Sequence, residues 1–425
     1  MHILVIGGGG REHAVAAALA RSPQVARITV APGNGGTAQF CTNAPVSATD
    51  LTGMLALCRE IRPNFVVVTP DDPLALGFVD ALEEAGFPCF GPTQAAARLE
   101  SSKSFAKDFM ARHGIPTAAC LRFDDERAAR AHVQTCDVPV VLKKDGLAQG
   151  KGVVVAMTRD EAVRGFDALC IGGFEPILFE QYLTGPEVSV LCFTDGATIV
   201  PMPAAQDHKR AFDGDQGDNT GGMGAFSPVS VYTAAMAAQC MDTIFRPTID
   251  GMAREGTPFR GVLYVSLMLT PDGPQVIEYN ARFGDPETQA VLPLLETDLL
   301  SVMRACREGT LHTLDVRFAP RASACVVMAS GGYPGAYRKG FPISGITRAE
   351  GRGCTVFHAG TATQDGALVT SGGRVLAVQA AHDTLYGALM LAYEGVQDIS
   401  FEGAFFRRDI GQKDACAQQT TRGTK

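Results

Sequence analysis

The sequence predicts a multidomain protein of the α/β and α+β classes: a doubly wound parallel-sheet domain first, a larger sheet-and-helix middle, and an α+β domain at the C-terminus. Three observations carry this expectation. The length of 425 residues exceeds what one hydrophobic core supports. Up to about residue 100, short β-branched runs alternate with helical patterns. Beyond that point, apolar strands are joined by long glycine-rich polar loops.

Strands are expected at Ile3–Ile6, Arg27–Ala31, Phe65–Thr69 and Pro88–Phe90, with helices such as Glu12–Arg21 and Pro73–Ala85 between them. Such alternation buries a parallel sheet beneath helices on both faces. A helix from Ser102 to His113 is stopped by Gly114-Ile115-Pro116. The runs Val138–Lys143 and Gly152–Met157, a helix, and Ile177–Glu180 form a small α+β unit ending near Val190. Residues 191–327 read as one larger antiparallel sheet, with strands near Val200, at Gly261–Leu269 and at Gln275–Asn280. After about Ser330 come short strands (Thr355–His358, Arg374–Ala380), a helix and Arg407-Arg408-Asp409.

Composition removes several function classes. No apolar run approaches the ~20 residues that cross a bilayer. A formal charge of −8 disfavours non-specific nucleic-acid binding. The twelve cysteines are scattered without a C-x-x-C pair, as expected of free thiols in a reducing compartment. The expectation is a cytoplasmic monomer whose partners are small molecules, with neither nucleic acid nor membrane.

The stretch Val276-Ile277-Glu278-Tyr279-Asn280-Ala281-Arg282-Phe283-Gly284-Asp285-Pro286-Glu287 carries the most chemical information. It opens as a strand, where side chains alternate between faces. Glu278 and Asn280 then share one face, opposite Ile277 and Tyr279. A carboxylate and an amide oxygen so placed suit Mg²⁺, provided phosphates and water complete its octahedron. Arg282, Asp285 and Glu287 follow at once, an excess of charge for an idle core strand.

Three loops add anion chemistry. Gly7-Gly8-Gly9-Gly10-Arg11-Glu12-His13 links the first strand to a helix, where main-chain N–H groups and the helix dipole favour an anion. The third glycine of a dinucleotide fingerprint is missing, and Val30 leads into Ala31-Pro32-Gly33-Asn34 with no acid for a ribose. A single phosphate held by the glycines and Arg11 fits better than NAD. The second loop, Lys143 to Gly152, has glycines at 146, 150 and 152 and a lysine at 151. Its spacing fails the Walker A pattern, and strands flank both sides. A lid over a triphosphate is the better reading, with Lys143 reaching phosphate from the strand end. The third, Gln206 to Gly224, is long and polar, and Thr220-Gly221-Gly222 offers consecutive amides to an anion. An EF-hand is rejected because Gly at position six and Glu at position twelve do not occur together.

Taken together these motifs resemble the phosphoribosylamine–glycine ligases (glycinamide ribonucleotide synthetases) of purine synthesis, members of the ATP-grasp superfamily. The resemblance covers nearly the whole chain and is densest at Gln206–Gly224 and Glu278–Gln289. It implies an ATP-grasp fold: an N-terminal domain over 1–102, an ATP-grasp domain over 103–327 with a lid at about 123–190, and a C-terminal domain over 328–425. It further implies ATP-dependent joining of phosphoribosylamine to glycine through a glycyl phosphate, with Mg²⁺ or Mn²⁺ held by Glu278 and Asn280. ATP would meet Lys103, Lys143, Gly146, Gly150, Lys151, Gly152, Glu180, Leu183 and Glu187. The other substrates would meet Gly9, Gly10, Arg11, Glu12, Pro70, Asp71, Asn219, Thr220, Gly221, Gly222, Asp285, Pro286 and Glu287. Arg282, Lys209 and Asp207 would serve the reacting groups.

Four positions depart from the family pattern. Asp71 stands where a glutamate is usual, Lys144 and Gln149 replace alanines, and Gln181 replaces a hinge glutamate. A related ligase joining another acid to another amine would share the ATP residues. The first glycine loop and Gln206–Gly224 favour the sugar phosphate. A catalytically silent nucleotide binder would lack one of Lys103, Lys143, Glu278 or Asn280, and all four are present.

Overall fold

In a computed structural model, which describes residues 1–147 and 152–422, the N-terminal strands form a five-stranded parallel sheet. The strand order is Thr42–Asn43, Arg27–Pro32, His2–Gly7, Phe65–Val68, Cys89–Phe90. The chain reverses its winding direction between His2–Gly7 and Phe65–Val68, the switch point where doubly wound sheets open a crevice at their carboxyl ends. Gly7–Gly10 and Thr69-Pro70-Asp71 both leave strands at that crevice. The single helix expected over Pro73–Ala85 is instead two, Asp71–Ala75 and Phe78–Glu84. Gly77 breaks it, with φ of 77°, a conformation that costs glycine little.

Helix Lys103–Arg112 is capped by Ser102, whose Oγ accepts from Phe105 N at 3.1 Å. It leads into a four-stranded antiparallel sheet ordered Cys120–Phe123, Ile177–Gln181, Val140–Lys144, Val153–Ala156. Helices Glu126–Val133 and Arg159–Leu169 bury Ala129, Val133, Ala162 and Phe166 against it in a core of its own. A small separate core of this kind lets the unit move as a body. The loop between Val140–Lys144 and Val153–Ala156 includes residues 148–151, so the expectations for Gly150, Lys151 and Gln149 lie outside the described residues.

Two corrections concern the middle of the chain. Residues 191–327 do not form one sheet. Glu187–Thr194, Gly261–Thr270 and Gly273–Asn280, with Ile199–Pro201 at the edge, make a four-stranded antiparallel sheet. Gln206–Asp207 and Gly224–Ser227 leave it and join a five-stranded sheet ordered Gln206–Asp207, Gly224–Ser227, Ala322–Ala329, Arg374–His382, Thr355–His358. A division at 190 therefore cuts the strand Glu187–Thr194, and one at 327 cuts Ala322–Ala329. Apolar alternation reveals a strand but not which partner it will pair with.

The first helix, Gly10–Ala20, packs against the C-terminal sheet through a buried histidine pair. His13 Nδ1 accepts from His358 N at 2.9 Å, and the rings stand 5.3 Å apart. Burial lowers the pKa of His13 to about 3 and that of His358 to about 4; His208, also desolvated, falls to about 4. Each is therefore neutral in the folded protein while the unfolded chain takes up its proton near 6.5. The unfolded state binds more protons between about pH 6.5 and 4, so stability falls as pH drops through that window and levels off below it. At pH 5 each buried histidine should cost about 2 kcal/mol. Thermal unfolding of His13→Asn should show a flatter acid limb than wild type; an unchanged slope would mean that this ring does not titrate on unfolding.

Candidate active site

The lid, the four-stranded sheet and the C-terminal sheet enclose a cleft of about 1210 Å³. The strand Gly273–Asn280 reaches it through a β-bulge: Ser266 pairs with Glu278 and Leu267 with Val276, leaving Ile277 as the extra residue. The simple alternation expected here is therefore broken. Ile277 lines the cleft alongside Glu278 and Asn280, while the Tyr279 hydroxyl meets Thr248 at 2.8 Å in the core. Bulges re-aim side chains beside functional sites in this way.

Cations surround Glu278. Burial pushes its carboxyl up, but Lys209, Lys143, Lys103 and Arg282 more than offset this and hold it below the usual carboxylate range. Lys143 is 4% exposed, donates to Ile277 O at 2.9 Å and pairs with Glu180 Oε2 at 2.9 Å. Lys103 opens its helix and donates to Gly146 O at 2.7 Å, which holds the start of the lid loop. Burial lowers the pKa of Lys103, partly countered by Glu278. Asp145 fastens the same loop, accepting from Ser104 N at 3.2 Å and Gly146 N at 2.9 Å.

Arg282 turns back toward the strand end. Its Nη2 pairs with Glu100 Oε1 at 2.9 Å and donates to Asn280 Oδ1 at 3.2 Å, and Nη1 donates to Phe283 O. Its Nε is buried with no hydrogen-bond partner. Asp71 stands nearby; burial raises its pKa, and Arg282 and Arg11 outweigh that to lower it.

On the other wall, Lys209 pairs with Glu187 at 3.1 Å, the main cause of its raised pKa. Glu287 is buried and accepts from Tyr264 Oη at 2.6 Å and Ser189 Oγ at 3.1 Å. Asp207 lies close by, its carboxyl pushed well up by burial and then by Glu287, with Oδ1 buried and unpartnered. Leu183 and Asn219 line the same cleft.

At both expected anion sites some main-chain donors are already engaged. At the first glycine turn the Gly9 amide meets the protein's own Glu12. Its Oε2 accepts from Gly9 N at 2.7 Å, and its Oε1 accepts from Thr69 Oγ1 at 2.8 Å and Arg11 Nε at 2.5 Å. The amides of Thr220-Gly221-Gly222 are also taken: by Lys209 O at 2.7 Å, Tyr333 Oη at 3.0 Å and Thr220 Oγ1 at 3.0 Å. Local loop chemistry thus engages Gly9 N and the three amides of residues 220–222.

Beside the first glycine turn lies a second cavity of about 450 Å³, walled by Gly8, Gly9, Asn34, Gly360, Thr361 and Arg374, among others. Arg374 lines both this cavity and the main cleft. It pairs with Asp285 Oδ2 at 3.0 Å and donates to Asp285 O at 2.9 Å and to Gly221 O. Asp285 also accepts from Gln289 Nε2 at 2.7 Å. Pro286 packs beside Gly222, whereas Gly10 faces Gln289 and Ala359 rather than either cavity.

Comparison with known proteins decides the family. Residues 1–100, 101–288 and 323–413 match the N, ATP-grasp (A) and C domains of phosphoribosylglycinamide synthetase. A phosphoribosylamine–glycine ligase of Vibrio parahaemolyticus is 46% identical over 427 residues, 99% of this chain and 100% of that protein. This chain belongs to the phosphoribosylglycinamide synthetase family. The crystal structure of the phosphoribosylamine–glycine ligase from Thermotoga maritima is similar at a TM-score of 0.85 and 33% identity, covering 96% of this chain and all of that one. The trifunctional purine biosynthetic protein adenosine-3 of Gallus gallus is 49% identical over 430 residues, 99% of this chain. The chain spans 43% of that longer relative. Among the described residues no helix is long and apolar enough to cross a membrane.

Within this synthetase fold, sequence reasoning missed several site residues. Lys107 lies one turn beyond Lys103 on the same helix, a spacing that could have flagged it. It meets Glu180 Oε2 at 3.3 Å, so the Glu180 carboxylate faces two lysines. Arg374 had a weaker signal, an arginine opening an apolar strand after Gly372-Gly373. Glu100 and Tyr264 had none.

Proposed function

We propose that this chain joins glycine to phosphoribosylamine, cleaving ATP to ADP and phosphate and forming glycinamide ribonucleotide for purine biosynthesis. The observation that carries this reading is one cleft flanked by two differently built ends. One end gathers lysines, an arginine and hard oxygen donors around the lid, as a triphosphate requires. The other opens to a glycine-walled cavity with one arginine, where a sugar phosphate fits.

Lys103, Lys143 and Gly146 face the phosphates, and Leu183 and Glu187 face the nucleoside. The Glu180 carboxylate orients Lys143. Gly152 lines the same cleft. Glu278 and Asn280 fit a divalent ion: Glu278 is held ionised, Asn280 lines the same cleft with its Oδ1 oriented by Arg282 Nη2, and both are hard oxygen donors. Among the described residues no group of three or more acidic, histidine or cysteine side chains gathers to hold a metal alone. Phosphate oxygens would therefore complete the set, with Mg²⁺ or Mn²⁺ as candidates. When bound, the ion neutralises phosphate charge.

A glycine carboxylate oxygen attacks the γ-phosphorus, the bond to the β-phosphate oxygen breaks, and ADP leaves behind an acyl phosphate. Lys103, Lys143 and Arg282 offset the charge that spreads over the transferring group. The amine nitrogen of the sugar phosphate then attacks the acyl carbon, and inorganic phosphate departs. Asp207, with its unpartnered oxygen, accepts from the amine, and the Lys209 cation beside it offsets its charge. The sugar phosphate lies between Asp71 and Arg11 on one side and the glycines, Asp285 and Arg374 on the other. Lid closure excludes water from a readily hydrolysed intermediate. The reading extends to a cytoplasmic monomer with small-molecule partners, in keeping with its acidic charge.

Purified protein should release ADP only when glycine and freshly made phosphoribosylamine are both supplied. Release with a different acid and amine, or none with this pair, would overturn the assignment.

A further inference from the structure

The loop that brings Asp207, Lys209 and Thr220–Gly222 to the cleft has little structure of its own. Its hairpin joins Arg210–Phe212 to Gln216–Asn219 with a register shift, and residues 212–218 are exposed. An isolated two-stranded hairpin is at best marginal in water. Its support comes from nearly two hundred residues away. Arg407, its side chain 1% exposed, forks onto Asp409 (Nε to Oδ1 2.8 Å, Nη2 to Oδ2 2.7 Å), reaches Asp215 Oδ1 at 2.9 Å and donates to Arg210 O at 3.1 Å. Around this fork, Gly214 N donates to Asp409 Oδ2 at 2.9 Å, Arg408 N to Asp213 Oδ1 at 2.7 Å, and Gly411 N to His208 Nε2 at 3.3 Å.

The far side of the clamp is fixed to the C-terminal core. Tyr393, on the helix Leu385–Asp398, donates to Arg407 O at 2.9 Å and accepts from Ile410 N at 3.0 Å. Phe212 meets Phe405 with ring centroids 5.8 Å apart. A guanidinium is rarely buried this fully unless every partner is in place.

We infer that Arg407 is a positioning residue for the reaction: by clamping the 210–219 hairpin to the C-terminal domain it sets where Lys209, next to the sheet-held Asp207, meets the acceptor amine. Among the described residues, the hydrogen bonds and ion pairs of the Arg407 side chain stop at the hairpin and Asp409. Its effect therefore reaches the triphosphate end only through the Lys209–Glu187 pair and falls mainly on the other half of the chemistry. This rests on the ligase reading of the site, and the test keeps the two separable.

The full chain is compared with Arg407→Lys, which keeps the charge and loses the fork, and with Asp409→Asn, which keeps the shape and loses the anion. Hydrogen exchange at amides 208–220 should quicken roughly tenfold in both, with the lid and N-terminal sheets unchanged. In the ligase assay kcat should fall roughly tenfold or more and KM for phosphoribosylamine should rise, with KM for ATP within about twofold of wild type. Wild-type exchange across 208–220, or a KM for ATP that rises as far as that for the amine, would overturn the clamp. If wild type itself makes no ADP from these substrates, the ligase reading fails, while the exchange measurement still decides whether Arg407 holds the hairpin.

Discussion

Glu278→Ala should lower kcat by about three orders of magnitude while leaving thermal unfolding close to wild type. Four cations face this carboxylate, and three keep a carboxylate of their own without it: Lys143 has Glu180, Lys209 has Glu187 and Arg282 has Glu100. Only Lys103 depends on Glu278 for its main opposing charge, so its pKa should fall further in the variant. The core behind the strand is untouched, because Tyr279 and Val276 point into it and Glu278 does not. Turnover is another matter, since the residue unites a metal donor and the anion that balances three lysines. Glu278→Gln retains an oxygen donor and loses the charge, so it should lie between alanine and wild type. Wild-type turnover in the alanine variant would remove Glu278 from the metal site.

The N-terminal sheet was legible because each of its long strands is a continuous β-branched run that needs only its neighbours, and the glycine turn marks where the crevice opens. The lid was legible for a similar reason: Val140–Lys144 and Val153–Ala156 pair with each other across one loop. The middle was not. Gly224–Ser227 and Ala322–Ala329 are paired across about a hundred residues, and nothing in the four residues Gly-Ala-Phe-Ser specifies a partner so distant. The bulge at Ile277 was invisible too, since one unpaired residue leaves no mark on composition.

At the site, residues stood out where one stretch gathered several charges, as Glu278, Asn280 and Arg282 do. Less legible was which main-chain donors are already engaged by the protein itself. Gly9 N met Glu12, three residues on, and Gly222 N met Thr220, two residues back. Short polar side chains at such spacings satisfy the backbone locally, and glycine-rich loops should be searched for them before an anion is assigned. Arg374 and Arg407 belong to the opposite case, acting on segments 89 to 197 positions away.

Arg282 offers the sharper dissection, because its structural and chemical roles can be separated. Removing the side chain strands Glu100, 8% exposed, whose pKa burial already raises against the pull of Arg282. Arg282→Ala should therefore lose about 3–5 kcal/mol of stability, as breaking a buried pair does. Its turnover should fall by about a thousandfold or more, the range seen when an arginine leaves a transferring phosphoryl group. Adding Glu100→Gln to that variant removes the orphaned charge and should recover most of the stability without recovering turnover. Arg282→Lys keeps a cation beside Glu100 but cannot also donate to Asn280 Oδ1, so stability should hold while kcat drops about a hundredfold. Should Arg282→Ala turn over normally once Glu100→Gln has restored its fold, the guanidinium would be a structural partner of Glu100 alone, and the charge on the transferring phosphate would have to be met by Lys103 and Lys143.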